Sequence, residues 1–359
     1  MPLLYKADWE EAKERYRAWW EGEYFGRCGL FVTAPHENAS EGDAPRVPED
    51  PERRWTDLEY IAASSEFGHR RTFFGGEAFP IFYPGYPGHT SIPAFMGCPT
   101  TLDHHTGWWE PILTGDSWQV DDLKLDKDSR WWKFTLELAH RMAKVCQGKS
   151  IPSTGAFGGC GDTLAGLRGS DRLLLDVVDQ PELVRRTEDF LMDMWFEVFD
   201  TFHEIIRDAQ DKGSCGWFPL WAPGKFYAIQ NDFAYMISPA MFRELFLPVI
   251  RRQTEFLDYA VYHVDGVGNF AHVPALCELP RLQALQILPG AGKPSPLHYL
   301  DVLRTVQAAG KNLHITIPSD EVEKALALLS ARGLFIQTTC TTEAEARELL
   351  KKAERWSRP

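Results

Sequence analysis

Strand-like and helix-like segments alternate along nearly the whole chain, and this alternation constrains the fold more than any other feature. Eight short apolar runs have the pattern of buried strands: residues 28–34, 78–83, 151–157, 215–221, 259–264, 282–287, 313–317 and 334–339. Right-handed β-α-β crossings close such a set into a barrel. The sequence therefore predicts a (β/α)8 TIM barrel of the α/β class. An open doubly wound sheet is the alternative, but the Rossmann glycine fingerprint is missing.

The barrel is predicted to form a single domain over residues 1–359, with two additions. Residues 8–24 form an amphipathic helix whose aromatic face, with Tyr16, Trp19 and Trp20, is expected to pack on the core. Residues 84–128 are rich in Trp, Gly and Pro and irregular in pattern. Long irregular segments in compact domains are often functional. This segment is therefore predicted to be a loop or small hairpin inserted over the barrel mouth.

Charge and composition exclude several classes of partner. A formal charge of -13 argues against a nucleic-acid or anionic-membrane partner, since both call for a basic face. No apolar run approaches the length of about 20 residues that spans a bilayer, and the first residues lack the apolar core of a signal peptide. A cytoplasmic location is therefore expected. The cysteines form no CxxC pair, so neither a disulfide framework nor a zinc ribbon is predicted. The oligomeric state stays open, a homodimer included.

Polar residues follow several predicted strands, most clearly the fifth, which runs into His263, Asp265 and two glycines. In a (β/α)8 barrel the carboxyl ends of the strands carry the catalytic groups. We therefore predict His263, Asp265 and Asp232 as catalytic residues. The predicted substrate-binding residues surround the barrel mouth: His36, Tyr83, Tyr86, Trp108, Phe157, Trp221, Tyr235 and Gln286. The aromatic residues favour a small ligand with an apolar or cationic face, such as a methoxyaromatic, a methylammonium compound or a sugar.

Three passages resemble the uroporphyrinogen decarboxylase superfamily, over residues 150–355. They are the glycine-rich strand end and helix pair at 154–183, the helix start at 232–242, and residues 339–343 after the eighth strand. The last passage resembles the corrinoid- and cobamide-dependent methyltransferase branch. The Arg-Gln-Ala-Gly-Arg-Tyr motif of the decarboxylase itself has no counterpart here. The resemblance implies a TIM barrel that transfers a methyl group between a small substrate and a corrinoid or thiol.

In that branch a His-x-Cys pair and a distant cysteine hold zinc, and the matching positions here are His263, Asp265 and Cys340. The resemblance thus implies a zinc ion at these residues and a corrinoid carried by a partner protein. An aspartate stands at the position of the first cysteine; imidazole, carboxylate and thiolate all bind zinc, and a catalytic site needs only three of them. In the alternative interpretation, His263 and Asp265 hydrogen-bond the substrate, and Cys340 is a small buried residue.

Two further functions remain open beside methyl transfer. One is metal-free chemistry, a decarboxylase or lyase in which Asp265 or Asp232 works with His263 as the proton carrier. The other is a catalytically silent, corrinoid-associated binding protein. The aspartate at position 265, in place of the family cysteine, motivates this last hypothesis.

Overall fold

The computed structural model describes residues 3–39 and 42–359. The strands, in chain order, are β1 (Gly29–Pro35), β2 (Thr72–Gly76), β3 (Ile81–Phe82), β4 (Thr100–Leu102), β5 (Gly107–Trp109), β6 (Ile151–Pro152), β7 (Ser214–Cys215), β8 (Trp221–Ala222), β9 (Phe226–Gln230), β10 (Tyr259–Asp265), β11 (Ala284–Leu288), β12 (Asn312–Thr316) and β13 (Leu334–Thr339).

The α-helices are α1 (Trp9–Trp20), α2 (Pro51–Thr56), α3 (Leu58–Arg70), α4 (Ile92–Phe95), α5 (Arg130–Val145), α6 (Asp162–Arg168), α7 (Ser170–Asp179), α8 (Pro181–Ile206), α9 (Pro239–Met241), α10 (Leu247–Phe256), α11 (Val273–Cys277), α12 (Leu300–Ala308), α13 (Val322–Leu328) and α14 (Glu343–Trp356). A π-helical segment, Phe242–Phe246, joins α9 to α10. Short 3-10 turns include Asp232–Met236 and Val267–His272.

Seven strands form one sheet in the order β2-β1-β13-β12-β11-β10-β9. Neighbours are parallel throughout, except that β2 runs antiparallel to β1. Continuous apolar runs are typical of parallel strands that are covered on both faces, and β11 follows this rule, since its first four residues are all buried. Six parallel strands therefore end together at one end of the sheet, here called the carboxyl end, and start together at the opposite, amino end.

The closed eight-stranded barrel predicted from the sequence is seen only in part. β3 and β6 pair with each other in a separate parallel ladder, and β7 pairs with β8 in an antiparallel one. A backbone hydrogen bond joins these two ladders: Thr154 N, after β6, donates to Cys215 O of β7 at 2.6 Å. The architecture is an α/β fold with a mostly parallel seven-stranded sheet, compatible with a TIM-barrel-like fold.

The prediction of a fourth strand at residues 215–221 is wrong, because only the two ends of this run are in strands. A tight turn splits this run, with Leu220 N donating to Phe218 O at 2.8 Å, and only its ends pair, as β7 and β8. Pro219 lies in the turn and has no amide hydrogen for a ladder. The sheet instead uses β9, which lies beyond the predicted strand and pairs with β10 through four buried residues and Gln230.

Helix α1 covers the amino end of the sheet, as its aromatic pattern predicts. Tyr16, Trp19 and Trp20 are at most 4% exposed. Trp19 Nε1 donates to Gly333 O, just before β13, at 2.9 Å, and the rings of Tyr16 and Phe335 stack at 5.6 Å. Aromatic packing of this kind contributes large buried areas to a core. The interior of the sheet is thereby closed at this end.

A buried ion pair accompanies α1. Two 2.7 Å hydrogen bonds join the guanidinium of Arg27 to the carboxylate of Glu77, and Arg15 contacts the same carboxylate. Burial alone would raise the pKa of Glu77, but Arg27, assisted by Arg15, lowers it to about 2. The carboxylate is therefore ionised and fully paired at neutral pH.

Residues 84–128, the predicted insertion, contain α4 and the β4–β5 hairpin. Ile112 N and Leu113 N both donate to Leu167 O, at 3.0 and 2.9 Å, so this segment is fastened to the last turn of α6. The buried guanidinium of Arg168 adds a hydrogen bond to Leu113 O at 2.7 Å. The segment is thus docked on α6, and its function as a cover over the site stays a prediction.

The long helix α8 packs an apolar stripe against the outer face of the sheet. Trp195, Val198, Phe199 and Phe202 recur at steps of three or four residues and are all buried. Its other face carries charged residues, so the helix is amphipathic. Within the described ranges, no helix combines the length and apolarity that crossing a bilayer requires.

Candidate active site at the carboxyl end of the sheet

Side chains from four neighbouring strands form a polar row near the carboxyl end. The register pairs His263 of β10 with Gln230 of β9 and with Gln286 of β11, and it pairs Gln286 with His314 of β12. Residues paired across parallel strands point to the same face of a sheet. His263 Nδ1 hydrogen-bonds Gln286 Oε1, and because an amide oxygen can only accept, Nδ1 carries the proton. The other ring nitrogen lies 4.0 Å from Asp265 Oδ2.

His314 is the buried end of this row. Its ring stacks on Phe335 at 5.4 Å and meets the edge of Phe218 at 4.8 Å. Neither ring nitrogen has a hydrogen-bond partner within the described ranges. Burial, with a smaller effect of His263, lowers the pKa of His314 to about 3. The imidazole is therefore neutral at physiological pH.

A glycine turn after β10 holds Asp265 in place. Gly266 has a φ of 82°, which side chains rarely tolerate, and its N donates to Leu288 O at 2.8 Å. A Cβ added there would stand 2.9 Å from the ring of Tyr235, so the glycine lets that ring lie against the turn. Asn269 Nδ2 donates to Asp265 O at 2.7 Å. The backbone of Asp265 is thereby held, while its side chain is left for other contacts.

Asp162 and Asp232 form a carboxyl pair beside this turn. Asp162, the first residue of α6, accepts 3.0 Å hydrogen bonds from Phe233 N and from Gln230 Nε2. Gln230 Nε2 also lies 3.5 Å from Asp232 Oδ2, so one amide bridges both acids. Burial, followed by repulsion from Asp232, raises the pKa of Asp162 to about 7. Near neutral pH this carboxyl therefore carries a proton part of the time.

The environment of Asp232 differs from that of its partner. Loss of solvation next to the surrounding protein raises its pKa, the positive charge of protonated His263 lowers it, and the Asp265 carboxylate raises it. Asp232 is nevertheless exposed at the site, whereas Asp162 is half-buried. Two carboxyls in unequal environments are a common basis for separate acid and base roles.

Two adjoining cavities open at the carboxyl end, and both are lined by Asp232. The larger, about 600 Å³, is also bordered by aromatic, thioether and polar side chains: Trp108, Trp109, Met236, Asp162 and Gln230. The smaller, about 360 Å³, is bordered by the glycine turn and by Tyr235, Asp265, Gly290 and Lys293. Volumes of this order suit small organic ligands.

Six of the residues predicted from the sequence meet at this end of the sheet: His263, Asp265, Asp232, Gln286, Trp108 and Tyr235. The strand-end argument locates His263, Asp265 and Gln286, whereas Asp232 follows β9, a strand that the sequence did not predict. Trp108 comes from the β4–β5 hairpin, and Tyr235 from the turn after β9. Their individual roles stay predictions.

Three other predicted residues make separate contacts. The Tyr86 hydroxyl lies 2.5 Å from Ser153 Oγ, and its ring meets that of Tyr83 edge-on at 5.0 Å. His36 Nδ1 lies 3.3 Å from Glu343 Oε2, at the start of α14. None of the three borders the two cavities described above.

Phe157 and Trp221, predicted to bind substrate, are instead core residues. Phe157 is fully buried and stacks on Phe202 at 5.2 Å. Trp221 is 1% exposed and packs edge-on against Trp9 of α1 at 5.6 Å, at the amino end. The predicted strand at residues 215–221 would put Trp221 at a strand end, but that strand does not form, and the residue begins β8 instead.

Cys340 faces away from His263. Phe335 of β13 packs with the residues of α1 on the inner face of the sheet. Leu334, Ile336 and Cys340 pack on the outer face, which the other helices cover. This alternation is the period of two expected of a strand. Burial raises the pKa of the Cys340 thiol.

The zinc site implied by the resemblance is therefore not assembled from His263, Asp265 and Cys340. Within residues 3–39 and 42–359, no group of three or more His, Cys, Asp or Glu side chains is arranged to hold a metal ion. The donor set as placed does not fit a catalytic zinc, which needs at least three protein ligands. Zinc and a corrinoid-carrying partner stay predictions.

Asp162 is the site residue that the sequence interpretation missed. A signal for it was present, because it directly follows the glycine-rich end of the predicted third strand, as His263 and Asp265 do at the fifth. What the pattern could not show is the contact with Gln230 and Phe233, which lie about 70 residues further along the chain.

A buried acid, Glu188 of α8, supports this glycine-rich turn from behind. Gly161 N donates to both of its oxygens, at 3.1 and 3.0 Å. Burial raises the pKa of Glu188 to about 8, so it is protonated at neutral pH. Gly161 has a φ of 77°, and an added Cβ would stand 2.2 Å from Asn231 Oδ1. The close packing of this turn fixes the start of α6, and with it the position of Asp162.

No protein-family model matches the chain, and no curated protein matches it in sequence. A solved structure of a methyltransferase from Methanosarcina mazei is similar over 96% of this chain and 98% of that chain, with a TM-score of 0.59 and 12% identity. The apo homocysteine methyltransferase MmuM from Escherichia coli matches over 53% of this chain and 90% of that one, at 16% identity and a TM-score of 0.28. The second score is too low to support a shared fold. The first likeness shows a shared fold over nearly the whole of both chains.

Proposed function

We propose that this chain is a methyltransferase-like enzyme of the uroporphyrinogen decarboxylase superfamily, and that it acts on a small molecule at the carboxyl end of the sheet. One observation carries the proposal: Asp162 and Asp232, bridged by Gln230, border a cavity of about 600 Å³. The fold shared with a methyltransferase supports the reaction class. A fold hosts many chemistries, so the site residues carry the argument.

The chemistry of methyl transfer matches this carboxyl pair. When a methyl group leaves a nitrogen or oxygen, the electron pair of the broken bond stays on that heteroatom, which then takes up a proton. Asp162 has a pKa of about 7 and borders the cavity, so it is placed to supply that proton. Burial keeps this pKa high, and the neighbouring Asp232 raises it further. In this mechanism the acid is active in its protonated form.

His263 and Asp265 hold the other side of the substrate. Gln286 fixes the ring of His263 through Nδ1, which leaves the second nitrogen near Asp265 for contact with the substrate. The methyl acceptor is proposed to be a thiol or a corrinoid on a partner protein, in keeping with the sequence resemblance. No step assigned to these residues requires a bound metal ion.

Methyl transfer is tested with the purified chain, a panel of methylated amines and methyl ethers, and either a thiol or reduced cobalamin as acceptor. We expect a methylated acceptor from at least one donor, and a loss of about 100-fold or more in Asp162→Asn, in line with the usual contribution of a general acid. Asp179→Asn changes an exposed acid at the end of α7 and is the matched control. Full activity of Asp162→Asn would remove the proposed acid, and no transfer from any donor would favour a silent binding protein.

The same carboxyl pair favours a second candidate, a metal-free decarboxylase or lyase. Asp162 could protonate a carbanion as readily as a departing heteroatom, and it needs no metal for either role. This candidate predicts release of carbon dioxide or of an unsaturated product, unaffected by a chelator. Measuring both kinds of product on the same panel separates it from methyl transfer.

A further inference from the structure

The cavities at the carboxyl end present negative charge with little to balance it. Asp162, Asp232 and Asp265 border them, and Lys293 is the single lysine or arginine among their described lining residues. Burial raises the pKa of both Asp162 and Asp232, and a neighbouring carboxylate raises it further in each case. A bound cation would relieve this repulsion.

Independent of charge, two buried oxygens in and next to the turn that borders the smaller cavity lack donors. Asp265 Oδ1 and Asn269 Oδ1 have no hydrogen-bond partner in the described part of the chain, and Asn269 is only 4% exposed. Asp265 and Gly290 border that cavity together, and a Cβ added at Gly290 would stand 3.7 Å from Asp265 Oδ1. Both atoms are acceptors, and the partner they lack is an N–H or O–H group.

The walls facing these acids are apolar and accessible. Trp108, Tyr235 and Met236 are 48%, 51% and 47% exposed, which is unusual for large apolar side chains gathered in one place. Aromatic faces attract cations, and a thioether packs against irregular apolar groups. The site therefore offers an apolar surface on one side and acceptors on the other.

We infer that the two cavities bind a protonated amine that carries at least one N–H and an apolar substituent. The N–H group donates to the carboxylate of Asp265, and the substituent lies against Trp108 and Met236. This inference rests on the proposed function and names its substrate class, a methylated amine as methyl donor. The step balances: the methyl carbon leaves nitrogen for a thiolate acceptor, the C–N electron pair stays on nitrogen, and the neutral amine takes a proton from Asp162.

Three ligands that share one benzyl group separate the parts of this inference. Dimethylbenzylammonium has the charge and an N–H, trimethylbenzylammonium has the charge alone, and benzyl methyl ether has neither. By titration calorimetry on the wild-type protein, we expect the first to bind at least tenfold more tightly than the other two. Equal binding of the two ammonium ions would overturn the N–H contact, and tightest binding of the ether would overturn the cationic class.

Variants locate the contact. Asp265→Asn should weaken dimethylbenzylammonium binding at least tenfold and trimethylbenzylammonium binding less, whereas Asp179→Asn, on the exposed end of α7, should change neither. If Asp265→Asn does not fold, Trp108→Ala, a half-exposed position, serves instead and should weaken all three ligands alike. Unchanged binding in both variants would place the amine elsewhere.

The binding measurement needs no methyl acceptor, so the two proposals fail in different ways. Tight amine binding without methyl transfer from any donor would contradict the proposed function and the role of the amine as methyl donor, but it would leave the amine-binding site standing. Methyl transfer from an ether, with no binding of either ammonium ion, would contradict this inference and leave the function standing.

Discussion

The two ends of the central sheet use the same kinds of residue in opposite states. At the amino end, Glu77 is buried with two arginines around it, and Trp19 is 1% exposed. At the carboxyl end, Asp162 and Asp232 lie side by side with no arginine or lysine partner in the described part of the chain, and Trp108 is 48% exposed. The carboxyl pKa values shift in opposite directions: that of Glu77 is lowered to about 2, and that of Asp162 is raised to about 7.

This contrast separates stability from function. Groups whose partners are all supplied by the chain contribute to folding and have nothing left to bind. Groups that repel each other, or large apolar side chains that stay exposed, lower the stability of the fold. They persist where a ligand or a reaction uses them. The amino end is therefore expected to respond to mutation through stability, and the carboxyl end through binding and rate.

Replacing the two tryptophans tests the comparison most strongly. Trp19→Ala removes a buried indole that donates to Gly333 O, and it should lower the free energy of unfolding by about 3–5 kcal/mol. Trp108→Ala removes a half-exposed ring and should change that free energy by less than about 0.5 kcal/mol while weakening ligand binding. Urea unfolding measures the free energy of unfolding of both variants. Equal losses of stability would contradict the proposed difference between the two ends of the sheet.

The buried ion pair predicts the next largest effect. Glu77→Gln leaves Arg27 without its counter-ion and should cost about 3–5 kcal/mol at pH 7. Because the folded-state pKa of Glu77 is lowered from 4.5 to about 2, the wild type keeps this stabilisation above pH 4.5 and loses it as the pH falls towards 2. The variant should lack that acid-sensitive part. Glu14→Gln, on the exposed face of α1, is the control and should change little.

Glu188 should show the opposite dependence on pH. Its folded-state pKa is raised from 4.5 to about 8, so the native state keeps a proton that the unfolded chain has released, and stability falls as the pH rises across this interval. Glu188→Gln has no carboxyl group to titrate, so it should not lose stability over this pH range. At pH 8 the variant should be more stable than wild type by an amount on the order of a few kcal/mol, whereas at pH 4 it should not be more stable. Thermal unfolding at both pH values checks the sign, with the exposed Glu182→Gln of α8 as control.

The smallest stability effect is expected at Asp232. Asp232→Asn removes an exposed charge that disfavours ionisation of Asp162. The wild-type rate should fall as the pH rises through about 7, where Asp162 loses its proton, and in the variant this fall should move to lower pH. Stability should stay within about 0.5 kcal/mol of wild type. If the rate of Asp232→Asn falls at the same pH as the rate of the wild type, Asp162 is not the acid.

Much of the site follows from one rule applied to the sequence. His263, Asp265 and Gln286 lie where apolar runs end in polar residues, and strand ends of parallel sheets meet at one end. The same rule failed for Trp221, because a run of apolar residues does not reveal that a turn at Pro219 divides it. It also missed Asp162, whose partner Gln230 belongs to a strand that the pattern did not predict.

The sequence by itself determined the alternation of strands and helices, the aromatic face of α1 and the strand-end position of His263 and Asp265, because these depend on local periodicity and chain order. Only the tertiary structure decided that Cys340 packs outside the sheet and that Asp162 and Asp232 share one amide. Pairing and burial depend on residues far apart in the chain. For that reason the charge state of each carboxyl, and with it the chemistry proposed here, is a property of the folded molecule.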